Sequence, residues 1–498
     1  MHNSKMSNTN QKYNIAIIAV CSIFALMLIW QGAFFPLQFI PLLIIPFLMF
    51  ALSKQPITIT LNTILLLGMT LLLLASFLLL AQEPQISLRE WLRYLLIPLS
   101  LMFFIATKDK SDWYMRAFFA GIFAIALFGL MAYTGGITIP GGIIEHSGRL
   151  QSTIQYANVT ALLMLIGILY SVDYFIKTKK WRYPIYALGF AYCLYLTGSR
   201  VTLVLFFIIA VLFILAKMKR KLQLVSIGIL AAVFVALSWV GGRIMQISLT
   251  EPTLIERVIT WQDGLRIAMY YPWLGLGIGN WQFEQFFYQS APYGVRYIHN
   301  FYAQVLVDGG FLAAILFIVV ILNVLWRGLM LKEKNIHFFV ILAIAFHIFL
   351  DFSMAFGGVI LIFAFSMSQI PDKEFKIPSW PKKRLRLVAL IPVVLLLVML
   401  VNEPGYKIPD PLGDRFAAAI QAYTDEEYLL AIEKTEALLH LWRFNPIYQA
   451  FYYDLLKSAV NSGLISLEEK QHRLEIVEQK RVQINPLYVR YIRRTTTN

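Results

Sequence analysis

The stretch Tyr297 to Phe311, YIHNFYAQVLVDGGF, holds the residues whose types and spacing could do chemistry. His299 and Asn300 fall where a long polar loop ends and an apolar helix begins, and Asp308 with the pair Gly309-Gly310 follows further along that helix. An imidazole at such a boundary can titrate near neutrality and meet a water-borne substrate while packed helices hold it still. The loop before it carries Arg257, Arg266 and the glycine-rich run Pro272 to Gly279, PWLGLGIG.

Other polar residues fit a packing account poorly. Arg149 and Gln155 lie in the stretch SGRLQSTIQYAN, residues 147–158, and Arg200 ends a Thr-Gly-Ser-Arg corner between two apolar runs. Arginine keeps its charge in proteins and its planar fork suits phosphate oxygens, so several arginines converging at a membrane surface point to a diphosphate headgroup. Any one of them could equally mark a helix end or contact lipid phosphate. His347 and Asp351 stand at i and i+4, a spacing that puts them on one helix face within reach of a hydrogen bond, whether structural or catalytic. Arg89 and Arg93 flank Trp91 at another boundary and read as interfacial anchors. His2, His146, His337, His440 and His472 are scattered without metal-ligand spacing, so neither a dedicated catalytic metal site nor a cofactor is expected.

The elements that must position these groups are membrane spans. Of 498 residues, 59% are hydrophobic and 14% charged, and apolar runs of about 20 residues, the length that crosses a bilayer core, recur through the first four fifths. The fold class expected is all-α and polytopic, with about thirteen spans near 13–31, 34–52, 58–81, 92–106, 113–134, 153–176, 184–197, 200–216, 222–240, 299–325, 336–355, 357–370 and 387–402. The first run lacks a cleavage site close behind it and reads as a retained helix. The net charge of +15 sits in short clusters between apolar runs, as juxtamembrane anchors do, and makes nucleic acid an improbable partner. Cys21 and Cys193 lie inside apolar segments and offer neither a disulfide framework nor a metal motif.

Charge also orients the spans. Lys5 and Lys12, Lys54, Lys108 with Lys110, Lys177 to Arg182, Lys217 to Lys221, Lys332 with Lys334, and Lys382 to Arg386 fall on alternate loops. The positive-inside rule places those loops and the N-terminus in the cytoplasm. The other loops face outward, among them 82–91, 135–152 and the large loop 241–298. Residues 1–401 then form a transmembrane core and 402–498 an external helical domain. In that tail acids and bases nearly balance, Pro446 starts a helix, Ser466 and Glu469 make a capping box, and Asn-Pro recurs at Asn445-Pro446 and Asn485-Pro486. Antiparallel helix pairs of the tetratricopeptide sort would explain it, as would a solvated cap without chemistry.

Taken as an ordered set, His299-Asn300 with Gln304 and Gly309-Gly310, the Arg257 to Gly279 segment, the Gly148 to Asn158 stretch, Gly198-Ser199-Arg200 and the His347/Asp351 helix resemble the superfamily of O-antigen ligases, O-antigen polymerases and bacterial protein O-oligosaccharyltransferases, over roughly residues 60–370. The resemblance implies a C-type glycosyltransferase fold in a bacterial cytoplasmic membrane. It also implies a polyprenyl-diphosphate-linked glycan as donor and a glycan, lipid or protein as acceptor. His299 would correspond to the family's essential histidine, Arg149, Arg200, Arg257 and Arg266 would be the candidates for its diphosphate-binding arginines, and Gln155, Asn300, His347 and Asp351 would support them. The reaction expected is a metal-independent, inverting transfer in which His299 takes the acceptor's proton. A lipid-linked glycan flippase, binding the same headgroup without breaking a bond, and an assembly factor acting through the tail are the readings from other classes; the absence of internal duplication speaks against the flippase.

Overall fold

The computed structural model describes residues 2–52, 58–82, 84–144, 148–217, 220, 223–228, 230–231, 252–291, 293–376, 382–402, 411–441 and 446–482. Residues 232–240 of the ninth expected span, the opening 241–251 of the long loop, His146 and Asn485-Pro486 lie outside the described residues. Helices α1 (His2–Ile29), α2 (Pro36–Leu52), α3 (Leu61–Leu80), α4 (Pro84–Ala106), α5 (Ser111–Tyr133), α6 (Ala157–Thr178), α7 (Arg182–Leu196) and α8 (Arg200–Lys217) come first. They are followed by α9 (Pro252–Tyr270), α10 (Trp281–Tyr288), α11 (Phe301–Met330), α12 (Ile336–Leu350), α13 (Gly357–Ser368) and α14 (Lys382–Asn402).

Among the described residues, five helices or helical runs are long and apolar enough to cross a membrane: Leu61–Leu80, Lys108–Tyr133, Ala157–Thr178, Arg200–Lys217 and Phe301–Met330. Shorter apolar helices accompany them at Ala16–Ile29, Pro36–Ala51, Ile336–Leu350, Gly357–Ser368 and Leu390–Val401. Every residue of α13 is buried, as expected of a helix that is apolar all round and sits at the centre of the bundle. The peripheral helices expose large apolar side chains, such as Leu71 and Leu78 of α3 and Leu322 and Trp326 of α11, a surface suited to lipid.

The helices alternate in direction, so their connections gather at two ends. One end joins residues near 31–35, 81–82, 149–156, 197–199, 293–300 and 351–356, as the bonds from Gln31 to Gln155 and from Arg93 to the Phe34 carbonyl show. The other end is closed by a small antiparallel pair, β1 (Thr58–Thr60) with β4 (Glu374–Lys376). There Asp372 accepts from the Asn62 amide at 2.9 Å and meets Arg327 Nε at 3.3 Å. Lys108, Lys110, Lys179, Lys180, Lys332 and Lys334 fall in connections of this second end. A second strand pair, β2 (Ile143–Ile144) with β3 (Arg149–Leu150), lies at the first end.

Two expectations about loops are corrected. Residues 84–91, read as loop, form the first turns of α4. The long loop 241–298 contains two helices, α9 and α10, with Pro252 opening the first, where its missing amide is no loss. The glycine-rich run between them has a mechanical role. Helix α11 is interrupted at Gly310, whose φ of 79° and ψ of −178° are not helical, and residues 272–279 thread against the break. The Leu276 amide donates to the Val307 carbonyl at 2.8 Å and the Phe311 amide to the Pro272 carbonyl at 2.9 Å. Gly275 has φ +71°, and a Cβ there would stand 2.2 Å from the Val307 carbonyl oxygen. Gly275→Ala should therefore lower the thermal midpoint of the detergent-solubilised protein. The left-handed backbone alone costs about 1–2 kcal/mol, and the clash with backbone adds to it. An unchanged midpoint would mean that the run does not brace α11.

The tail forms α15 (Pro411–Thr424), α16 (Tyr428–Leu441), α17 (Pro446–Asn461) and α18 (Leu467–Val482). They enclose their own core of Ala419, Ala431, Leu438, Leu455, Leu456 and Ala459. Pro446 opens α17 as its sequence suggests, and the Glu469 amide donates to Ser466 Oγ at 3.0 Å in the expected cap.

Candidate active site

His299 is held from several sides. Asn300 caps α11, its side chain accepting from the Ala303 amide at 3.1 Å. The Ile298 amide donates to Gln304 Oε1 at 2.9 Å, and Gln304 Nε2 donates to Asp308 Oδ1 at 3.1 Å. The His299 carbonyl accepts from Trp261 Nε1 at 3.0 Å. Its ring tilts against Phe352 with centroids 5.3 Å apart, and its buried Nδ1 has no hydrogen-bond partner among the described residues.

Arg257 stands four residues before Trp261, so both project from the face of α9 turned toward His299. Its Nη1 donates to the Leu350 carbonyl at 2.8 Å, and its Nη2 lies 3.7 Å from Asp351 Oδ2. The buried Asp351 also accepts from Tyr156 Oη at 2.9 Å and from Asn158 Nδ2 at 2.8 Å. Arg149 joins through Asn158, donating to Asn158 Oδ1 at 3.1 Å and to the Thr197 carbonyl at 2.8 Å. The structure thus brings Arg149, Arg257 and Asp351 into one network beside His299, although Arg149 and Asp351 stand more than two hundred positions apart.

His347 reaches the network by an indirect route. Asp351 ends α12 in extended conformation, with φ −157° and ψ 166°, so the shared helix face read from i, i+4 spacing does not exist. The two meet through Ser353, whose Oγ lies 2.8 Å from His347 Nδ1 and 3.4 Å from Asp351 Oδ1. His347 Nε2 faces Thr202 Oγ1 at 3.1 Å, which in turn pairs with Ser199 Oγ at 3.0 Å. Arg200 opens α8 at this same corner and is half-buried.

Arg266 and Gln155 are placed elsewhere. Arg266 lies nine residues beyond Arg257, about two and a half turns along α9 and hence on its opposite face. It pairs with the buried Asp263 at 3.0 Å, and Asp263 Oδ2 also accepts from the Ser290 amide and from Tyr293 Oη. Gln155 is exposed, bridges Gln31 Nε2 at 2.6 Å and the Pro140 carbonyl at 2.8 Å, and so ties two loops together.

A second cluster on the other side of Tyr297 escaped the sequence reading. Arg93, taken there as an interfacial anchor, is 4% exposed and pairs with Glu90 at 2.6 Å. Trp91 likewise turns inward, donating to the Thr70 carbonyl at 3.0 Å. The i, i+3 acid and base within an apolar helix were the available signal.

The electrostatics favour a neutral imidazole. Burial lowers the affinity of His299 for a proton; the Asp351 charge partly offsets this and the Arg257 charge adds to it. A base must be unprotonated, so kcat/KM should stay level through neutral pH and fall only below the ordinary histidine value of about 6.5. Removing Asp351's charge should move that acid limb further down, and removing Arg257's should move it up. A pH–rate profile whose limb ignores both substitutions would detach His299 from the rate.

Residues 185–318 match the family model described as O-Antigen ligase, so the resemblance drawn from the residues stands. The matched segment runs from α7 into α11 and includes Arg200, Arg257, Arg266, His299 and Asn300. Arg149, Gln155, His347 and Asp351 lie beyond it. A search of curated proteins returned no match.

Proposed function

We propose that this multi-pass membrane protein transfers an oligo- or polysaccharide from a polyprenyl diphosphate to an acceptor on the outer face of a bacterial cytoplasmic membrane. The observation that carries this is His299, whose buried Nδ1 has no hydrogen-bond partner among the described residues, together with Arg257, both inside the segment matched to O-antigen ligases, with Asp351 beside them from outside that segment. The donor's lipid lies among the spans and its diphosphate is held by Arg257 with Arg149 and Arg200 nearby. His299 removes the proton from the acceptor hydroxyl as that oxygen attacks the anomeric carbon, and the bond to the diphosphate breaks. The leaving group departs as polyprenyl diphosphate, already a stable anion, so positioning and charge stabilisation supply most of the rate. Direct attack inverts the anomeric carbon. The N-terminus is cytoplasmic, the external tail serves the acceptor side, and the acceptor is a glycan, a lipid or a protein.

The test is transfer by the purified full-length chain from a polyprenyl-diphosphate glycan, with chelator present throughout and the product's anomeric configuration read by NMR. Inverted product in chelator is expected. Activity that vanished with chelator and returned with a divalent ion would reject a metal-free transfer, and retained configuration would reject direct attack.

A further inference from the structure

The helix α4, outside the segment matched to O-antigen ligases, reaches the site through Tyr297, two residues before His299. Tyr297 Oη donates to Glu90 Oε1 at 2.8 Å and accepts from Arg93 Nη1. Arg93 also donates to the Phe34 carbonyl at 2.8 Å, and its guanidinium lies over the rings of Phe34, Phe39 and Tyr297 at 5.4, 5.1 and 5.7 Å. Glu90 and Arg93 are each 4% exposed. Arg296 approaches the same carboxylate at 3.5 Å from the solvent side.

A buried ion pair is a poor device for stabilising a fold, because apolar side chains of similar size often serve as well or better; what it supplies is a fixed geometry. Here the geometry bears on the base. The Tyr297 ring stacks on Phe352 with centroids 5.3 Å apart and planes 29° apart, and Phe352 also meets the His299 ring, tilted by 55°, at the same separation. Phe352 also faces Tyr156 at 4.9 Å, and Tyr156 donates to Asp351. One aromatic ring therefore connects the α4 ion pair, the imidazole and the carboxylate.

We propose that Glu90, Arg93 and Tyr297 form a positioning triad that fixes the placement of His299 through the chain and through Phe352. Tyr297 touches no reacting atom; it sets where the imidazole stands. The inference rests on the reading of His299 as the base. Misplacing a catalytic group by about 1 Å can cost on the order of a hundredfold.

The experiment uses Tyr297→Phe in the full chain, since this variant keeps the ring and leaves Glu90 paired with Arg93. A turnover loss of about ten- to a hundredfold is expected. Donor KM should change less than about twofold, and the acid limb of the pH profile should rise toward the ordinary histidine value as the loosened imidazole gains water. Arg93→Lys, which keeps the charge but not the fork, should lower turnover in the same pattern. Tyr297→Phe with wild-type turnover and an unmoved acid limb would overturn the proposal, as would a loss matched entirely by a smaller folded fraction in a thermal melt. His299→Ala separates the two claims. If that variant is inactive while Tyr297→Phe is normal, only the triad fails; if that variant is active, the base assignment fails with it.

Discussion

His299→Ala should abolish turnover while leaving donor binding nearly intact. The imidazole acts mainly in the transition state, when the acceptor proton moves, so its loss should lower kcat by roughly a hundred- to ten-thousandfold. The structure makes this variant informative because His299 holds its surroundings through the backbone: the Trp261 bond goes to the carbonyl, and the α11 cap belongs to Asn300. An alanine keeps both. Binding of an unreactive donor analogue, measured beside turnover, separates the two effects. A variant with full activity would remove His299 from the mechanism, and one that lost binding in proportion to rate would make it a donor contact instead.

Arg257→Ala should fail differently, losing donor affinity together with rate. Among the described residues the guanidinium donates to the Leu350 carbonyl and turns a second nitrogen toward Asp351, and the side chain keeps 17% exposure through which a diphosphate can be reached. Truncation removes the contact with the diphosphate, and losing one partner of a desolvated charge pair typically costs about 2–5 kcal/mol of binding. The expected result is a fall in kcat/KM of about thirtyfold to several thousandfold, with weaker binding of the analogue. Lysine should rescue poorly, since one point charge cannot reproduce the fork. If analogue binding is unchanged in Arg257→Ala while the protein melts earlier, Arg257 is a structural partner of Asp351 and not a donor ligand.

Much of this site was legible before the fold was known. The boundary at His299-Asn300 could be read because a cap residue followed by an apolar run marks where a helix leaves the polar region, and α11 begins there. What could not be read depends on which chain segments meet. The Glu90–Arg93 pair is buried by Phe34, Phe39 and Tyr297, none of them local to α4, and beside Trp91 the arginine imitates a lipid-facing anchor. Glycine and proline in 272–279 concealed the helices on either side, and once α9 is recognised the helical period alone sets Arg266 opposite Arg257. His347 and Asp351 were joined by a spacing rule that holds only inside a helix, and Asp351 lies just past its end.

The measurement that tests the central claim most directly is reconstitution of the purified chain in vesicles carrying a polyprenyl-diphosphate glycan and an acceptor. Product and the fate of the lipid carrier are followed together, for the natural sequence and for His299→Ala. The account predicts that free polyprenyl diphosphate appears in step with glycosylated acceptor, and that both cease in the variant. Donor that crosses the bilayer with its glycosidic bond intact, in either protein, would contradict it and make the chain a transporter.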